Sequence, residues 1–94
     1  MNVMRPMADL LDELKTKVVD VLNLQDIAPA DIDPDEQLVG GRLGIDSIDV
    51  LEMVIMMEKD YGLTIDNKDL GAKVFASLRT MADFIRLRTL EVDG

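Results

Sequence analysis

Leu43-Gly44-Ile45-Asp46-Ser47-Ile48-Asp49-Val50-Leu51-Glu52-Met53-Val54 joins a glycine-bearing loop to an acidic, strongly apolar segment, with one serine at the junction. The pattern is that of a helix start. The first N–H groups of a helix lack intrahelical partners, and Asp46 followed by Asp49 supplies acceptors for them in the manner of a capping box. Ser47 is then the first helical residue, with its hydroxyl outward. Advancing about 100° per residue from Ile48, the side chains of Val50, Met53, Val54, Met57 and Tyr61 cluster on one side of the cylinder, the expected core face. Ile48, Leu51 and Ile55 fall roughly opposite, bordered by Glu52, Glu58 and Lys59. The helix therefore has two apolar faces, and a small bundle leaves one of them wet. The outer stripe is either covered by a loop, an ordinary scatter of surface aliphatics, or a docking strip whose apolar anchors are ringed by acids that a basic partner can read.

Outward from this helix, expected over residues 47–61, the flanking segments read as its support. Upstream, Met7, Leu10, Leu11, Leu14, Val18, Val21 and Leu22 recur at three- and four-residue spacing, which predicts a first amphipathic helix over about 6–23. Pro6 suits its first turn and Asn23 its exit. Residues 24–45 contain Pro29, Pro34 and several glycines and acids, and form a long ordered loop that Ile27, Ile32, Leu38, Val39 and Leu43 pin to the core. Downstream, Gly62 stops the second helix. A short helix is expected over about 66–73, with Leu70 and Val74 as anchors, and Ser77 caps a last helix over 78–89. That helix turns Leu78, Met81, Ala82 and Ile85 inward and Arg79, Arg86 and Arg88 away, with residues 91–94 fraying. The expectation is an all-α chain, one domain over residues 1–94, built as a small bundle of three principal helices and one short one.

Composition removes most chemistry from this chain. With 94 residues and 48% hydrophobic content there is material for a single core but not for a cleft between domains. Aromatics are 3% and seven methionines fill the aliphatic interior. Without cysteine there is no thiolate nucleophile or zinc–thiolate site, and without histidine the commonest general base and metal ligand is missing. No intrinsic metal site is expected. A net charge of −9 repels nucleic acid and anionic lipid and favours basic protein partners. The apolar run at residues 53–57 is far short of a membrane span, residues 1–9 hold no hydrophobic signal segment, and a cytoplasmic location is expected. Two other motifs fail on spacing. Asp31-Ile32-Asp33-Pro34-Asp35 begins like a calcium loop, but Glu36 takes the glycine position and Arg42 the bidentate glutamate position. Gly40-Gly41-Arg42-Leu43-Gly44 lacks both the preceding strand and the spacing of a dinucleotide loop.

Gly44-Ile45-Asp46-Ser47-Ile48-Asp49-Val50-Leu51-Glu52-Met53-Val54, followed by Tyr61-Gly62-Leu63-Thr64-Ile65, resembles the phosphopantetheine attachment region of acyl carrier proteins. The resemblance covers most of the chain, helix by helix. It implies an acyl-carrier-like fold and a protein that is not itself an enzyme. Ser47 would receive 4′-phosphopantetheine from coenzyme A, and acyl intermediates of fatty-acid or polyketide-type synthesis would ride as thioesters on the arm's sulfur. The prosthetic group would thus bring the thiol that the chain lacks. Free N–H groups and the positive dipole end at the start of the helix would favour the phosphodiester's charge, while Asp46 and Asp49 oppose it locally. The implied partners are a phosphopantetheinyl transferase and acyl-loading and synthase or ketosynthase enzymes with basic docking surfaces, meeting a monomer. Carried over by position, partner recognition falls to Asp46, Ile48, Asp49, Leu51, Glu52, Ile55 and Glu58, with Asp46 also reaching the transferase's magnesium ion. The acyl-chain pocket falls to Val50, Met53, Met57 and Tyr61. Ile48 replaces the usual leucine, Lys59 stands where an acid is common, and residues 39–43 and 66–77 are slightly longer than usual. These departures resemble pathway-dedicated carriers, such as those of aryl-polyene or type II polyketide-like synthesis. The alternative is a helical interaction or regulatory domain in which Ser47 is a helix-start residue or a phosphosite.

Overall fold

Buried leucines and methionines at helical spacing bring four helices together around one interior. The computed structural model describes residues 6–93, with side chains to residue 89. Its elements are α1 (Met7–Leu22), a single 3-10 turn (Pro29–Asp31), α2 (Ser47–Tyr61), α3 (Lys68–Val74) and α4 (Leu78–Asp93). Among the described residues there is no strand, only an isolated parallel bridge between Val39 and Ile45. α1 packs on α2, on α4 and on the 3-10 turn, and α3 packs on α4.

Local hydrogen bonding sets the helix ends. α1 begins behind Pro6 and ends where Asn23 turns left-handed at φ 54°, its N–H donating to Asp20 and that of Leu24 to Val19. Gly62 closes α2 at φ 67°, a conformation that costs glycine nothing and a side chain about 1 kcal/mol or more. Asn67 Oδ1 accepts from the Leu70 N–H at 2.7 Å and starts α3. Ser77 Oγ accepts from the Thr80 N–H at 3.2 Å while Thr80 Oγ1 accepts from the Ser77 N–H at 2.9 Å, so α4 is capped reciprocally. α4 runs on to Asp93 instead of stopping near residue 89. No glycine or proline interrupts residues 89–93, so nothing in that segment ends the hydrogen-bond ladder. The expected fraying of residues 91–93 is therefore not seen in the backbone; Gly94 lies outside the described residues.

The long loop is held by its backbone as well as its apolar side chains. Ile32, Leu38, Leu43 and Ile45 are buried, and Ile27 and Val39 pack partly against the same core. The Leu38 N–H donates to Ala76 at 3.1 Å and the Arg79 N–H to Pro34 at 2.9 Å, tying the loop across the α3–α4 junction. Arg42 braces it further, donating to the Glu36 carboxylate and the Asp31 carbonyl. Gly41 has no room for a side chain, since a Cβ there would lie 2.4 Å from the Gln37 carbonyl oxygen. In the segment that began like a calcium loop, Asp33 accepts from the Asp35 N–H at 2.8 Å and Glu36 from the Asp33 N–H at 2.7 Å, so these carboxylates close a turn.

The periodicity of α2 assigned one inward face, and the structure divides it. Met53, Met56 and Met57 are buried in the bundle core, Met56 having been missed because it lies about 80° from Ile48, close to the acidic border. Val50 and Val54 are only half-buried and border a separate groove. Tyr61 is half-buried against α1, where its hydroxyl donates to Glu13, while Lys17 pairs with Asp60 at 3.0 Å. α2 therefore has a core side, a groove side and an outer side.

Candidate functional site

At the mouth of α2 the two aspartates satisfy each other's backbone. Asp46 Oδ1 accepts from the N–H groups of Ile48 and Asp49, both at 3.0 Å, and Asp49 Oδ2 accepts from the Asp46 N–H at 3.1 Å. This is a complete capping box. It is the box that the spacing of the two aspartates implies: Asp46 takes two of the free donors, and both carboxylates oppose a phosphodiester's charge locally. The second oxygen of each carboxylate makes no hydrogen bond among the described residues, so each aspartate, Asp46 exposed and Asp49 half-buried, keeps an acceptor to offer.

Ser47 is exposed, and its hydroxyl has no hydrogen-bond partner among the described residues. No histidine exists to activate it, and one oxygen of each neighbouring aspartate is engaged in the cap. Chemistry at this hydroxyl needs a catalyst from elsewhere. Its surroundings are nonetheless shaped. Ser47 lies on the rim of a groove of about 850 Å³ between α2 and α3. The walls are mainly apolar, formed by Val50 and Val54 of α2, Ile65, and Ala72 and Phe75 of the α3 region. Gln37, Asp66, Asn67 and Lys68 add polar groups to the lining.

On the outer side of α2, Ile48, Leu51 and Ile55 are 70%, 63% and 52% exposed, with Glu52, Glu58 and Lys59 exposed around them. The loop does not cover this stripe. Leu51 also reaches the groove, so the stripe and the groove share an edge. Asp46, Ile48, Asp49, Leu51, Glu52, Ile55 and Glu58 thus share one helix and its mouth. The four residues carried over as an acyl-chain pocket are dispersed: Val50 lines the groove, Met53 and Met57 sit in the bundle core, and Tyr61 faces α1. Ile65, Ala72 and Phe75 line the groove without having been singled out, since Ile65 precedes α3 while Ala72 and Phe75 belong to α3 and its C-cap, and no periodicity links the two segments to α2.

A family model described as a phosphopantetheine attachment site matches residues 12–85, from within α1 to within α4. The chain belongs to that family. It is a carrier domain, not an enzyme, and its prosthetic group is covalently attached 4′-phosphopantetheine. The site fits such a group: a serine hydroxyl free of internal hydrogen bonds stands beside a groove whose walls are largely apolar. No solved structure matches the chain. Among the described residues, no helix is long and apolar enough to cross a membrane.

Proposed function

We propose that Ser47 is the attachment point and that the domain carries acyl intermediates for fatty-acid or polyketide-type synthesis. The observation that carries this is a contrast between the chain's two serines. Ser77 is 8% exposed and its hydroxyl caps α4, so modifying it would uncap a helix and require opening the core. Ser47 is exposed and its hydroxyl supports nothing else in the fold. The attached group supplies a thiol, on which an acyl chain is held as a thioester.

The chain's own residues present, orient and shelter. The capping box fixes the first turn of α2 and so holds Ser47 at the rim. Asp46 and Asp49 turn their unbonded oxygens to the phosphopantetheinyl transferase, Asp46 toward its magnesium ion. Ile48, Leu51 and Ile55 dock into apolar hollows on partner enzymes while Glu52 and Glu58 meet basic rims, which steers encounter and selects partners. Acyl-loading and synthase or ketosynthase enzymes use this same face, and Lys59 distinguishes it from an all-acid strip, in keeping with a pathway-dedicated carrier. The carrier acts as a cytoplasmic monomer.

Incubation with coenzyme A, magnesium and a broad-specificity transferase, followed by intact-mass measurement, tests the assignment. Wild type and Ser77→Ala gain one phosphopantetheinyl mass, and Ser47→Ala gains none. An unmodified wild type would overturn the carrier reading. A modified Ser47→Ala would move the site.

A further inference from the structure

Gly71 occupies an unusual place for a glycine. It lies inside α3, is buried, and lines the groove. A glycine in a helix interior weakens the helix relative to alanine, so a structural reason for one is normally a left-handed backbone or a close approach. Neither holds here. Gly71 is absent from the positive-φ residues of the described chain, and a Cβ built on it would meet only Ile65 Cγ2, at 3.8 Å, an ordinary van der Waals distance. Gly41 shows the contrast, because there a Cβ would strike a backbone carbonyl. What a side chain at position 71 would take is space in the groove. Ile65, the atom's nearest neighbour, is itself a groove wall, and Val50 and Val54 contribute from α2.

We infer that Gly71 sets the depth of the groove and thereby the length of apolar acyl chain that the domain can shelter. The inference rests on the carrier reading above. With hydrogen at this position the α3 backbone itself forms part of the wall, and an aliphatic chain entering from the Ser47 rim can lie between α2 and α3 against Val54, Ile65 and Phe75. A branched side chain at 71 would occupy that volume. Short cargo, confined to the rim, would be indifferent to the change.

The test compares melting of two loaded forms of the same protein, acetyl- and octanoyl-phosphopantetheinyl, prepared with the transferase from acetyl- and octanoyl-coenzyme A and checked by mass. In wild type the octanoyl form melts above the acetyl form. In Gly71→Leu that difference disappears, and in Gly71→Ala it shrinks. The difference between two loaded forms cancels any general effect of the substitution on the fold. Gly71→Ala secures the test should the leucine variant fold poorly, since its unloaded form should melt about 4–8 °C above wild type. An octanoyl advantage that survives undiminished in both variants, or that is absent in wild type, would overturn the inference while leaving the carrier reading intact. Failure of wild type to load at all would overturn the carrier reading, and the inference with it, and mass alone would report it.

Discussion

The core and outer sides of α2 are built from similar side chains and treated oppositely by the fold. Met53, Met56 and Met57 are 0%, 4% and 0% exposed, whereas Ile48, Leu51 and Ile55, equally apolar and on the same helix, stand in solvent. Hydrophobicity alone does not separate them. What separates them is whether other elements are available to cover them: the methionines join a core shared with α1, the long loop and α4, and nothing in the described chain covers the isoleucine–leucine side. On the function proposed above, this uncovered apolar stripe beside acids is the surface that a partner reads.

The strongest way to break this comparison is to truncate each side in turn. Met57→Ala removes a fully buried side chain and leaves a cavity that the surrounding aliphatics close only in part. Unfolding in urea should show a loss of about 2–5 kcal/mol. A loss under 1 kcal/mol would mean that the core at this point is soft enough to refill, and would erase the distinction between the sides. Ile55→Ala should change stability by no more than about 0.5 kcal/mol. It should instead slow transfer of phosphopantetheine by the transferase or turnover with a synthase. Unchanged kinetics together with lost stability would put Ile55 in the interior.

The smallest effect concerns the loop that braces the core side. Arg79 donates to Asp35 through both Nε and an Nη atom, and this hydrogen bonding, with the guanidinium's charge, holds the Asp35 carboxyl below its usual pKa. A carboxylate whose folded pKa is depressed adds stability above its unfolded pKa, near 3.9, and loses it as pH falls through the folded value. Both groups are exposed, so the contribution is slight. Asp35→Asn should therefore melt slightly below wild type at pH 7, with the two curves converging below about pH 4. A gap that persists in acid would show that Asp35 acts through the turn geometry at Asp33 and not through its charge.

Much of α2 was legible because its signals are local. Asp46, Ser47 and Asp49 lie within one helical turn, and the hydrogen bonds that start the helix run among Asp46, Ile48 and Asp49, so spacing alone implies the box. Gly62 is legible for a similar reason, as a residue free to adopt the left-handed exit. The spacing of the two aspartates also implies that Asp46 consumes donors a phosphate could have used, as the hydrogen bonds from Ile48 and Asp49 bear out. The end of α4 was misjudged because fraying was assumed from position, where the residues themselves carry no stop signal.

By itself the sequence determined the order of the helices, the start and stop of α2, the isolation of one serine, and the absence of any group that could activate it. These follow from capping chemistry, residue geometry and composition, none of which needs a neighbour in space. Only the tertiary structure decided how the inward arc of α2 divides between core and groove, and which face stays wet. Burial depends on elements far apart in the chain: the methionines join the common core and Tyr61 meets α1, while Ile65, Gly71 and Phe75 converge on Val50 and Val54 to shape the groove. Ser47 was visible as a serine at a helix mouth, but its position on the rim of that groove is a product of packing.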